Sequence, residues 1–138
     1  MDISKIKTNK DVPVDEKFSQ LFKKILLKEA PFYKALIKFE GIRPFSDYLP
    51  KLHAGLVQKM LQGITVKQYP YIHVYQKGDY FIMSDDYQTY YTYLQLKQQI
   101  IPCIVLCTEP KGRFVLEKGE ADYDYGMYIE MVNDPTQN

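Results

Sequence analysis

The sequence predicts an α+β fold, a small mixed β-sheet with packed helices. Three observations carry that expectation. Apolar residues from Phe18 to Leu61 recur at helical spacing, the period then changes to two short β-rich runs around a turn, and Pro102–Cys107 is an unbroken apolar run between turns. The 138 residues are 46% hydrophobic and 25% charged, which fits one globular domain over 1–138 and excludes a disordered chain. A domain of this length buries about two thirds of its unfolded surface, enough for a core without staples. No apolar run approaches the roughly 20 residues needed to span a bilayer. The opening Met1-Asp2-Ile3-Ser4-Lys5 lacks the apolar stretch of a signal peptide, and there are only two cysteines, so a reducing, cytoplasmic setting is expected.

The elements follow in order. Residues 1–14 read as a short strand and loop. A helix starts near Asp15, with Phe18, Leu21, Phe22, Ile25 and Leu26 on one face. Pro31 ends it and can open a second helix, with Phe32, Tyr33, Leu36 and Ile37 buried and Gly41 at its end. A connection over 42–50 leads to a third helix from about Lys51 to Gly63. Tyr71–Tyr75 and Tyr80–Met83 form a hairpin around Gln76-Lys77-Gly78-Asp79. Ser84, Asp85 and Asp86 offer capping side chains to a helix over Tyr87–Lys97. Pro102–Cys107 is a buried strand, Arg113–Glu117 a returning strand and Tyr125–Val132 a last short strand, while 133–138 fray.

Charge is uneven along the chain. Residues 1–69 carry 13 Lys/Arg against 7 Asp/Glu, and residues 70–138 carry 5 against 10. A basic half can be a nucleic-acid footprint or a solvated helix face. Lys23, Lys24, Lys28, Lys34 and Lys38 are the footprint candidates, placed on two successive helices and pointing outward together. Most of the 13 tyrosines fall between Tyr69 and Tyr93. Such a stripe can stack on bases, line a core margin or meet a protein. Asp85 and Asp86 either hold a divalent cation or cap a helix. Cys103 and Cys107, four apart on a strand, have Cα atoms about 13 Å apart and cannot pair. They read as inert buried thiols, and no metal site or cofactor is expected. His73 shares a strand face with Tyr71 and Tyr75, where it is either an acid–base group or a satisfied framework residue.

The segment over residues 70–107 resembles the ParB/sulfiredoxin-like fold. The residues that carry the resemblance are Pro70-Tyr71-Ile72-His73-Val74-Tyr75, then Gly78-Asp79-Tyr80-Phe81-Ile82-Met83-Ser84-Asp85-Asp86-Tyr87-Gln88, then Ile101-Pro102-Cys103-Ile104-Val105. Ile3-Ser4-Lys5-Ile6 with Asn9 and Pro13 is similar to the family's first strand and loop. On this alignment residues 15–50 are a helical insertion. The family binds phosphate at an Asp-Gly pair followed by His-Arg. Here Ser84 and Asp85 stand at the first pair, and Tyr87 and Gln88 at the second. The resemblance therefore implies the fold and a ligand site at His73, Ser84, Asp85, Asp86, Tyr87 and Gln88, with the glycine and both basic groups replaced.

The function expected from this is a non-catalytic ParB-like binding or interaction module, in a bacterial or phage-type setting if the family habit holds. Its partner is another protein or a second copy, met through the tyrosine-rich face. Nucleic-acid binding by the basic helices is the first alternative. A diverged phosphotransfer enzyme or nuclease using Asp85, Asp86 and His73 is the second.

Overall fold

The structure, a computed structural model, describes residues 13–51, 55, 58 and 70–125. The strand expected over 1–14, most of the helix expected from Lys51, and the tail lie outside the described residues. So does the strand expected from Tyr125, except for Tyr125 itself, which is helical and buried.

Asp15 fixes the first element. Its Oδ1 accepts the Phe18 backbone N–H at 3.1 Å, which satisfies one orphan donor of helix α1, Glu16–Leu26. Glu16 in the first turn and Lys23 and Lys24 in the last complement the helix dipole. Lys28 then takes φ +60° and turns the chain away.

Residues 31–44 correct the sequence reading. The second helix and the helical character of the 15–50 insertion end here. Phe32–Lys38 is strand β1, a 3-10 turn spans Phe39–Gly41, and Ile42–Pro44 is strand β2. The stretch carries two periods at once. Phe32, Tyr33, Leu36 and Ile37 suit a helix, whereas Tyr33, Ala35 and Ile37 alternate with Lys34 and Lys38. Pairing decides between them. β1 aligns antiparallel with strand β5, Ile100–Leu106, over its whole length, from Phe32 opposite Leu106 to Lys38 opposite Ile100. Local propensity is a weak prior beside that many ladder bonds and buried side chains.

The later elements match expectation. Strands β3 (Ile72–Lys77) and β4 (Tyr80–Met83) form a hairpin whose two-residue loop begins with Gly78 at φ +63°, a conformation suited to glycine. Helix α2 is Tyr87–Gln95, and strand β6 is Val115–Lys118. The six strands lie in the order β2-β4-β3-β5-β1-β6, with β3/β5 and β2/β4 parallel and the other pairs antiparallel. The architecture is α+β with a mixed sheet.

The helices cover opposite faces. Phe18 and Ile25 of α1 meet Phe32, Tyr75, Ile104 and Leu106 on one side. Tyr87, Tyr90 and Tyr93 of α2 meet Ile37, Ile72, Phe81, Met83, Ile101 and Val105 on the other. β5 is therefore buried on both faces, which is why it reads as an apolar run without alternation. Among the described residues no helix is long and apolar enough to cross a membrane.

The tyrosines divide between core and core margin. Tyr75, Tyr87, Tyr90, Tyr93 and Tyr125 are buried, and among the described tyrosines only Tyr123 is exposed. Tyr33, Tyr48, Tyr71, Tyr80 and Tyr91 are half-buried, at the margins of the two cores. The hydroxyls of the buried tyrosines explain the choice of Tyr over Phe. Tyr90 reaches the Ile42 carbonyl at 3.3 Å, Tyr93 the Pro70 carbonyl, and Tyr87 the Ser46 hydroxyl at 2.9 Å, so each ring fills the core while its tip ties down a crossing segment. Burial raises the Tyr90 phenol to about 12.

Candidate functional site

A cleft of about 790 Å³ opens between α1 and the turn joining β4 to α2. Asp15, Phe18, Phe22 and Lys23 form one wall, and Ser84, Asp85, Asp86, Tyr87 and Gln88 form the other. Five of the six residues expected at a ligand site therefore line one concavity. His73 stands beside it on β3 and reaches it through Asp86.

The turn is built differently from the expected cap. The N-cap residue of α2 is Asp86, not Ser84 or Asp85, and its side chain makes no capping bond. Its Oδ2 instead accepts from the His73 backbone N–H at 2.7 Å and from His73 Nδ1 at 2.8 Å. On the far side of the ring, His73 Nε2 lies 2.7 Å from the Tyr125 hydroxyl. A carboxylate only accepts, so Nδ1 carries the hydrogen. In the neutral ring Nε2 then accepts the Tyr125 O–H. Phe22 packs edge-on against both His73 and Tyr125, at 5.8 and 5.2 Å between ring centres, and closes the relay from that side. Tyr125 is 4% exposed, its ring packed edge-on against Phe22 and Phe32.

The three cleft carboxylates have distinct duties. Asp15 caps α1 with one oxygen and accepts the Tyr75 hydroxyl at 2.9 Å with the other. Burial, then the Asp15 contact, pushes the Tyr75 phenol up to about 12. Asp86 is committed to His73. Asp85 is exposed and has no hydrogen bond or ion pair among the described residues. Partial enclosure by the cleft, followed by the neighbouring Asp86, raises its carboxyl above the usual range, while His73 pulls the other way. Gln88 gives its amide N–H to the Lys51 carbonyl, and its Oε1 is buried without a partner. Among the described residues no three His, Cys, Asp or Glu side chains converge as a metal site requires. Cys103 is fully buried and its thiol is pushed well up by that burial. Cys107 lies just past β5 at φ +70°, and its Sγ donates to the Leu21 carbonyl at 3.4 Å.

The lysine footprint is dispersed. Lys23 and Lys24 are on α1 and Lys28 follows it, but Lys34 and Lys38 are on β1, not on a second helix. Lys23 lines the cleft, Lys34 sits 5.8 Å over the Tyr71 ring, and Lys38 belongs to a separate concavity. Residues missed from sequence are the partners of His73 and Tyr75. Asp15 and Tyr125 lie 60 and 52 residues away from them, and no local pattern links such positions. Comparison with family models, curated proteins and solved structures gives no match.

Proposed function

We propose that the chain is a non-catalytic, ParB-like binding module whose acidic cleft takes a cationic segment of a protein partner. The carrying observation is that both ring nitrogens of His73 are spent on Asp86 and on the hydroxyl of the buried Tyr125. An acid–base histidine needs one nitrogen within reach of substrate, so the catalytic role considered for His73 loses its support. Two acceptors line the cleft with no hydrogen-bond partner among the described residues, the Asp85 carboxylate and Gln88 Oε1. Lys23 is the one basic residue among its described lining residues. The carboxylates Asp15, Asp85 and Asp86 outnumber that one cation, which favours a Lys or Arg side chain whose stem can lie on Phe18, Phe22 and Tyr48. The succession of hairpin, polar turn, helix and parallel strand supports the ParB-like kinship, and the acids at the turn argue against phosphate there.

Fluorescence anisotropy with labelled Lys/Arg-rich and Glu-rich peptides tests this. The basic peptides should bind, with affinity reduced about threefold to tenfold by Asp85→Asn and Gln88→Ala together. Equal binding of both peptide types, or indifference to the substitutions, would remove the proposal.

A further inference from the structure

The chain has only two arginines, Arg43 and Arg113, and both stand at one pocket with Lys38. That pocket, about 310 Å³, lies at the hairpin end of β4, away from the acidic cleft, and nothing above assigns it a role. The Arg43 guanidinium lies over the Tyr80 ring at 3.9 Å, and that of Arg113 over the Phe114 ring at 4.6 Å. The two rings contact each other, with centres 5.5 Å apart. Stacking through the faces of a guanidinium leaves its N–H edges available. Among the described residues Arg43 makes no ion pair or hydrogen bond, so its donors stay available. Arg113 forms an exposed ion pair through Nε with Asp79 Oδ2 at 2.8 Å, which leaves its terminal nitrogens.

The backbone is shaped around this group. A Cβ on Gly41 would stand 2.3 Å from the Phe114 ring, so only glycine lets Phe114 seat. Gly112 has φ +105°, and a Cβ there would meet Asp79 Oδ1 at 2.6 Å. The Gln76 side chain bonds both the Lys111 N–H and its carbonyl, fixing the loop that carries Arg113 to the hairpin. Both arginines are therefore held before any ligand arrives, which lowers the ordering cost of binding.

We infer that this pocket binds the phosphoryl group of a small phosphomonoester that carries neighbouring hydroxyls. Three cationic side chains suit a doubly charged phosphate better than a single carboxylate, and planar guanidinium edges match its oxygens. Glu40 lines the same pocket and has no hydrogen-bond or ion-pair partner among the described residues. Its carboxylate repels a bare anion but accepts from a hydroxyl, which selects for a polyol phosphate over inorganic phosphate.

Calorimetric titration of the full chain with ribose 5-phosphate, inorganic phosphate and O-phosphoserine tests the assignment. Ribose 5-phosphate should bind most tightly, and Arg43→Gln should weaken it by about tenfold or more, while Lys23→Gln at the cleft leaves it unchanged. Circular dichroism of the Arg43→Gln protein must match the parent, and Arg113→Gln provides a second reading through the other ring. Absence of binding, indifference to both arginine substitutions, or equal loss on Lys23→Gln would overturn the site. Tighter binding of O-phosphoserine than of ribose 5-phosphate would overturn the ligand class.

Discussion

The two ends of strand β4 use charge in opposite ways. Beyond Met83, Asp86 is consumed by His73, and Asp15 across the cleft is consumed by Tyr75 and the α1 terminus. At Tyr80, Arg43 is held through its flat face and keeps its donors. A carboxylate can be fixed in a half-buried place only by spending its oxygens on hydrogen bonds. A guanidinium can be fixed by stacking without spending any. The acidic end is thus mostly framework with one free group, Asp85, and the basic end is mostly free with little framework duty.

The sharpest way to break that contrast is His73→Ala. It removes the hydrogen bond between His73 and the Tyr125 hydroxyl and one of the donors to Asp86, so unfolding in urea should show a loss of about 2–4 kcal/mol. Arg43→Ala, by contrast, should cost less than about 1 kcal/mol. Equal losses would mean that the arginine end is framework too. Next in size is Gly41→Ala, which overpacks against Phe114 and should cost about 1–3 kcal/mol by the same measurement. It should also weaken phosphate binding by displacing the ring under Arg113.

Tyr75→Phe should cost about 1 kcal/mol, since Asp15 loses one donor. It also bears on alkaline stability. The Tyr75 phenol titrates near 12 when folded and near its ordinary value of 10 when unfolded. Over that window the native state holds the proton longer, so stability falls as pH rises from 10 to 12. In Tyr75→Phe this part of the alkaline fall should disappear from melts recorded across that range. The smallest effect is expected for Asp85→Asn. A carboxyl raised on folding favours the native state when protonated and costs stability once ionised, so the substitution should stabilise at neutral pH. The gain, under about 1 kcal/mol after solvent screening, should vanish as pH falls below about 4. A destabilised Asp85→Asn would show that Asp85, too, is framework.

Legibility in the sequence followed the range of the forces involved. The Asp15 cap, the amphipathic α1, the Gly78 hairpin, α2 and the apolar β5 are set by neighbours in the chain, and each is where its pattern places it. The strand β1 is not, because its partner β5 lies far along the chain and overrides an equally good helical stripe. The shared face of His73, Tyr71 and Tyr75 follows from strand alternation, but the Asp86 and Tyr125 contacts depend on how the sheet meets α2 and the segment after β6. Which tyrosines are core was hidden for a related reason. Composition says that a ring with a polar tip suits a boundary, and here the boundary is internal, between packed layers and the backbone crossing their edges. The two arginines were visible from the start, but only as a scarcity. Nothing in their spacing tells that Gly41 and Gly112 bring them together.

The place of β1 in the sheet also sets a schedule for a chain made from its N-terminus. β1 lies between β5 and β6, both later in sequence, so neither edge of it can be paired when it leaves the ribosome. At about 5–20 residues per second the start of β5 follows the end of β1 by roughly 3–12 s. Throughout that interval Phe32, Ala35 and Ile37 stand as an open apolar ribbon with two unsatisfied edges. Lys34 and Lys38 sit within that ribbon, and their charges discourage edge-to-edge pairing between nascent chains until the later strands arrive.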